Sequence, residues 1–180
     1  MVAAERARRA ADPSLGRRVV EVKRFQHARF ASTYRDLLGQ PRYGAAARFF
    51  LEELYGPHDF SDRDTQFARI VPGLVRLFPK EIVRTVRVLG ELHALSETLD
   101  TRMAEQFDSE RLDGEAYGRA WRTTADPAQR EHQIALMLDV GFALARYTRN
   151  PVIRHSLRLM RGPAAAAGLG TLQRFLESGF

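Results

Sequence analysis

Apolar positions along this chain recur at helical spacing almost throughout, and no stretch sustains the two-residue alternation of a half-buried strand. The clearest run is 79–107, PKEIVRTVRVLGELHALSETLDTRMAEQF. It holds one Gly and no Pro after its first residue, which predicts a helix of about seven to eight turns. Arg84, Arg87, Glu91, Thr98, Arg102 and Glu105 fall within about 40° of Lys80 and form a charged face. Val88, Leu92, Leu95, Leu99 and Met103 make an apolar stripe, and Ile82, Val86 and Leu89 begin a second. That second stripe then turns polar, because His93, Glu97 and Asp100 continue it. A carboxylate on a buried face has to be paired or protonated, so these three residues form a candidate polar seam.

Punctuation elsewhere is equally helical. Asp12-Pro13, Asp126-Pro127 and Asn150-Pro151 each pair a capping side chain with a proline suited to the first helical position. The first opens a helix to about Leu38, with Leu15, Val19, Val22, Phe30, Tyr34 and Leu37 inward. Another spans roughly 43–55. A third is capped by Ser61, with Asp64 completing the box and Phe67, Ile70, Val71, Leu74, Val75 and Phe78 inward. Pro72 should bend or split that helix. A short helix, 115–124, carries Tyr117 and Trp121. The helix from Asp126-Pro127 runs to about Arg149 and is apolar almost all round between Ile134 and Ala145, so it is either central or shared with a second subunit. Its polar line is His132, Asp139 and Arg146. A helix to Arg161 and a final one from Pro163, with Leu169, Leu172, Phe175 and Leu176 inward, complete the chain. The expectation is an all-α, single-domain bundle of about seven to eight helices around 79–107. Residues 1–11 read as a flexible basic tail and 12–180 as one helical domain.

Charge and composition narrow the function. The chain carries a net +6, and residues 1–48 hold eleven basic and four acidic residues, so the remainder carries −1. A basic patch of Arg17, Arg18, Lys23 and Arg24 could attract nucleic acid, but no nucleic-acid-binding motif accompanies it, and a solvated face is the favoured reading. No run of about 20 apolar residues could span a bilayer, and the N-terminal stretch is charged where an export signal is apolar. The absence of cysteine removes disulfides, thiolate metal sites and cysteine nucleophiles. Together these features favour a cytoplasmic protein.

Motifs for chemistry are few. Gly168-x-Gly170 follows no strand, so it is no nucleotide loop, and 164–170 reads as small residues permitting close helix packing. No Gly-x-Ser-x-Gly elbow and no Glu-x-x-His pair occurs. His93 and Glu97, one turn apart, could chelate an ion with Asp100 a further turn on, or could pair with each other or with Arg69, Arg146 or Asp139 from neighbouring helices. The structural alternative is favoured. His27, His58 and His155 read as surface or turn residues.

FFLEELYGPHDFSDRDTQFARIVPGLVRLFP (49–79) and RGPAAAAGLGTLQRFLESGF (161–180) resemble an uncharacterised family of bacterial helical proteins. The resemblance covers 43 to the C-terminus and is most specific over 49–64; it implies a helical fold and no activity, cofactor or catalytic residue. Leu89-x-x-Leu92-His93 is also similar to the proximal-histidine helix of the globins, which would imply haem. The favoured reading is a non-catalytic helical protein acting through association, as a homodimer, with no cofactor. A small ligand, haem or a metal ion at His93, Glu97 and Asp100, with His132, Asp139 and Arg146, is the alternative. Nucleic-acid association through the basic helix is the third.

Overall fold

A computed structural model describes the chain except residues 55, 59, 78, 79, 109, 110, 125 and 180 and the side chains of Leu54, Leu74 and Leu77. It is all-α, with 84% of residues helical and no strand among those described. The helices are α1 (Val2–Ala11), α2 (Pro13–Thr33), α3 (Arg35–Gly39), α4 (Gly44–Phe49), α5 (Ser61–Leu77) and α6 (Lys80–Ala104). They continue with α7 (Gly114–Thr124), α8 (Pro127–Tyr147), α9 (Pro151–Leu159), α10 (Arg161–Ala166) and α11 (Gly170–Ser178). No helix among the described residues is long and apolar enough to cross a membrane.

The capped starts form for the reasons their sequences give. Asp12 Oδ1 accepts from the amides of Ser14 and Leu15 at 3.0 and 3.1 Å. Asp126 accepts from Gln129 at 2.7 Å and Asn150 from Val152 at 3.0 Å. Each satisfies amides that the first helical turn leaves without an intrahelical partner.

Several expectations are corrected. Residues 2–11, read as a flexible tail, form a helix. The expected helix from Pro13 to Leu38 breaks at Tyr34, whose φ and ψ are −108° and 26°. The break leaves both Tyr34 and Leu37 exposed instead of inward. The helix over 43–55 ends in a π-helical turn, Phe50–Leu54. Ser61 lies inside α5 and does not cap it, since the Asp64 amide closes on the Phe60 carbonyl at 2.9 Å. Helix α5 continues through Pro72 without splitting, and Val75 is exposed. Phe78 lies outside the described residues.

The last expected helix is two. Leu169 N donates to the Ala164 carbonyl at 2.8 Å and Gly168 N to Ala165 at 3.0 Å, the crossed pair of a Schellman stop. This motif needs a left-handed residue, and Gly168 has φ +70°. The glycine therefore serves a turn, whereas close helix packing was the expectation.

The chain divides into two compact units, residues 1–57 with 89–137, and residues 58–88 with 138–180. In the first, Leu15, Val19 and Val22 of α2 pack with Met103 and Ala104 of α6 and Tyr117 and Ala120 of α7. Burying each of the larger side chains contributes about 1.5–3 kcal/mol. The Tyr117 ring stacks 4.5 Å from Phe25 and 6.1 Å from Trp121, extending this core outward. In the second unit α5 packs on α11. The buried Gln66 side chain accepts from Leu172 N at 2.9 Å, and Arg63 lies over the rings of both Phe60 and Phe175, at 4.0 and 4.6 Å.

Candidate functional site

The polar seam of α6 faces inward. Glu97 is 6% exposed and Asp100 9%, on the same stretch of helix as the fully buried Leu99 and Met103. Helix α2 brings Lys23 to this seam because it follows Val19 by one turn beside the buried Leu15–Val19–Val22 stripe. Lys23 Nζ lies 2.5 Å from Glu97 Oε1. Helix α1 brings Arg9, whose Nη1 lies 2.5 Å from Glu97 Oε2. Arg9 Nη2 donates to the Glu97 carbonyl and to Thr101 Oγ1, each at 2.6 Å. One guanidinium thus binds a side chain, a main-chain carbonyl and a hydroxyl on a single turn of α6. Gln26 of α2 donates to Asp100 Oδ1 at 3.0 Å.

The two carboxyls respond oppositely. Burial pushes Glu97 up, but Lys23 and Arg9 together outweigh it and hold the group below its usual range. Asp100 is pushed up by burial, with Lys23 and the Gln26 hydrogen bond only partly offsetting it and Glu97 adding to it. Tyr117 lies nearby, its hydroxyl buried without a well-formed hydrogen bond, and burial raises its pKa against the pull of Arg29. Arg130 covers Trp121 with its guanidinium 3.5 Å from the ring centroid, and burial lowers its affinity for its proton. Among the described residues no three His, Asp or Glu side chains are grouped to hold a metal ion. Both oxygens of Glu97 are occupied by cations, so chemically the cluster is a neutralised strut with one protonatable acid beside it.

Other residues singled out from sequence fall elsewhere. His93 is half-buried one turn before Glu97. His132, Asp139 and Arg146 lie exposed. His132 pairs with Glu91 at 2.9 Å and Asp139 with Arg84 at 3.1 Å, while Arg146 donates to the Tyr147 hydroxyl at 3.3 Å. These partners belong largely to the charged face of α6, which attracts exposed polar groups at little desolvation cost. Arg69 donates to the Ala167 carbonyl at 3.4 Å. His27, read as a surface residue, is half-buried with Nε2 3.6 Å from Glu52.

The basic patch is not one surface. Lys23 turns to Glu97. Arg18 Nε donates to the Ala104 carbonyl at 2.9 Å, closing the end of α6, where cations are favoured. Arg24 pairs with Glu21 at 2.5 Å, and both Arg24 and Arg17 lie on the exposed side. Sequence reasoning missed Arg9, Gln26, Thr101 and Arg130. Gln26 was detectable, since Leu15, Val19, Val22 and Gln26 share one helical stripe; Arg9, in a segment without apolar periodicity, was not.

No curated protein and no solved structure matches the chain. A family model matches residues 5–180, beginning within α1, so Arg9 and every member of the buried cluster lie inside the matched region. By that match the chain belongs to the family described as Domain of unknown function (DUF8198).

Proposed function

We propose that this protein is a non-catalytic helical domain that acts by associating with a second copy of itself through the outer face of α8. One observation carries the reading: Ile134, Leu138 and Phe142 occupy successive turns of that helix and are 51%, 52% and 73% exposed. Ala135 and Ala145, also exposed, lie on the same face and allow close approach. An apolar stripe left in water forgoes about 25 cal/mol for each Å² that association could cover.

A second copy is the occupant because the face complements itself when two helices run antiparallel. About a two-fold axis near Val140, Leu138 meets Phe142 of the second copy and Glu131 meets Arg149, an acid against a base at each end. The non-catalytic part of the reading draws on Glu97, whose oxygens are held by Arg9 and Lys23 and so are poorly suited to proton transfer. The inward commitment of Arg9, Arg18 and Lys23 likewise favours association over nucleic-acid binding.

Light scattering at micromolar concentration is expected to give about twice the 20.4 kDa chain mass. Phe142→Glu should return the protein to the monomer mass with its helical circular dichroism unchanged. A wild-type monomer would overturn the proposal.

A further inference from the structure

Helices α9, α10 and α11 shape a concavity of about 170 Å³ lined by Arg154, Leu157, Arg158, Arg161 and Glu177. We propose that this pocket binds a phosphate monoester dianion, either a free small molecule or the headgroup of a lipid. Arg154 and Arg158 lie one turn apart on α9 and Arg161 opens α10, and all three line the concavity.

Arg161 is held in place by its neighbour. Its Nε donates to both Glu177 oxygens at 2.7 and 2.8 Å, and its Nη2 lies 2.7 Å from Oε2. Glu177 is itself held by Gln173 Nε2 at 2.9 Å, and the same nitrogen donates to the Leu157 carbonyl at 2.6 Å. The carboxylate is therefore hydrogen-bonded by Arg161 and acts on Arg158 only through space. Arg154 and Arg158, one turn apart, have no side-chain hydrogen bond or ion pair among the described residues. Exposed arginines elsewhere divide: Arg24, Arg84 and Arg119 each take a carboxylate, whereas Arg102, Arg122 and Arg149 take none among the described residues, so what sets Arg154 and Arg158 apart is the concavity they share. Two like charges one helical turn apart repel, and a concave site concentrates their field.

The ligand class follows from charge and size. A guanidinium is a planar fork that matches two oxygens of a phosphoryl group. Three guanidiniums against the one Glu177 carboxylate leave the lining near +2, which calls for a ligand charge near −2; a phosphate monoester carries this above its second pKa of about 6, and a carboxylate or phosphodiester does not. The cavity is smaller than the ~300 Å³ at which pockets begin to enclose drug-sized ligands. It suits a phosphoryl group with a small substituent, the rest of the ligand remaining outside.

The test follows the arginine Nε–Hε resonances of the full chain while inorganic phosphate is added, against chloride at equal ionic strength. Saturable shifts are expected at Arg154 and Arg158, weakening at about pH 5, where phosphate is a monoanion. Affinity should fall at least about tenfold in the double variant R154Q/R158Q. It should also fall, by less, in R154K/R158K, which keeps the charge and loses the fork. Far-ultraviolet circular dichroism checks that these exposed substitutions leave the helices intact. A parallel arm sediments the protein with phosphatidylcholine vesicles, with and without phosphatidic acid. Phosphatidic-acid-dependent pelleting that R154Q/R158Q abolishes assigns a lipid headgroup, and phosphate shifts without pelleting assign a free ligand. Absence of both, or binding unchanged in R154Q/R158Q, overturns the proposal.

Discussion

In the unit built from 1–57 and 89–137, Arg9 and Lys23 are drawn inward onto one carboxylate; in the unit built from 58–88 and 138–180, Arg154 and Arg158 line a pocket whose one carboxylate, Glu177, is hydrogen-bonded to Arg161. The residue types are nearly the same and the physics is opposite. Inside, a charge is tolerated only because Glu97 and the α6 main chain satisfy it. Outside, a charge is hydrated and contributes almost nothing to folding, so its placement is free to serve recognition.

The difference is tested first by removing the shared carboxylate. Glu97→Ala is expected to cost about 3 kcal/mol, the lower end for breaking a buried pair, since Arg9 and Lys23 can each partly reach water. Urea denaturation at neutral pH measures it, and a cost under about 1 kcal/mol would erase the distinction between the two regions. Gly168→Ala should cost about 1.5 kcal/mol, because an alanine there must take up the left-handed φ of +70°. That loss would show that backbone geometry, and not charge, limits the second unit.

Asp100 sharpens the comparison through pH. Its folded pKa is raised, so between the ordinary aspartate range and that raised value the native state binds more protons than the unfolded chain, and stability falls as pH rises. Glu97 is depressed and acts in reverse: its contribution is present above its unfolded pKa and is lost as pH falls through the folded one. Stability should therefore peak on the acid side of neutrality. Asp100→Asn, which can still accept from Gln26, should remove the decline above that peak and add about 1 kcal/mol at neutral pH. Denaturation midpoints across pH would show no such flattening if Asp100 were ordinary.

The smallest effect carries a telling sign. Arg154→Gln with Arg158→Gln should shift stability by less than about 0.5 kcal/mol, and upward, because a like-charge pair is relieved. Thermal melting in low salt resolves it. A loss of stability would mean that these arginines are structural after all.

The contrast also marks what was legible in the sequence. Helix starts at Asp12, Asp126 and Asn150 were readable because a cap and a proline act within one turn. The inward direction of Glu97 and Asp100 was readable from their angle to Leu89 and Val86. Their partners were not, because Arg9 sits in an alanine- and arginine-rich stretch with no apolar stripe, and its role arises only when α6 meets it. Helix α8 showed its apolar girth but not which side would be covered. Val140 and Leu136 are buried while Phe142 is open, a division that only the packing of other helices decides.

The reach of Arg9 has a consequence for synthesis. Its carboxylate partner lies 88 positions later and that of Lys23 lies 74 later, with 92 separating Arg9 from Thr101. At ~5–20 residues per second the ribosome adds Glu97 roughly 4 to 18 s after Arg9. Throughout that interval the nascent α1 and α2 present an arginine-rich surface whose buried counter-charge does not yet exist. Completion of α6 supplies that counter-charge, the first unit closing only when α7 and the start of α8 follow, and a translational pause upstream of Glu97 would prolong the unpaired state in proportion.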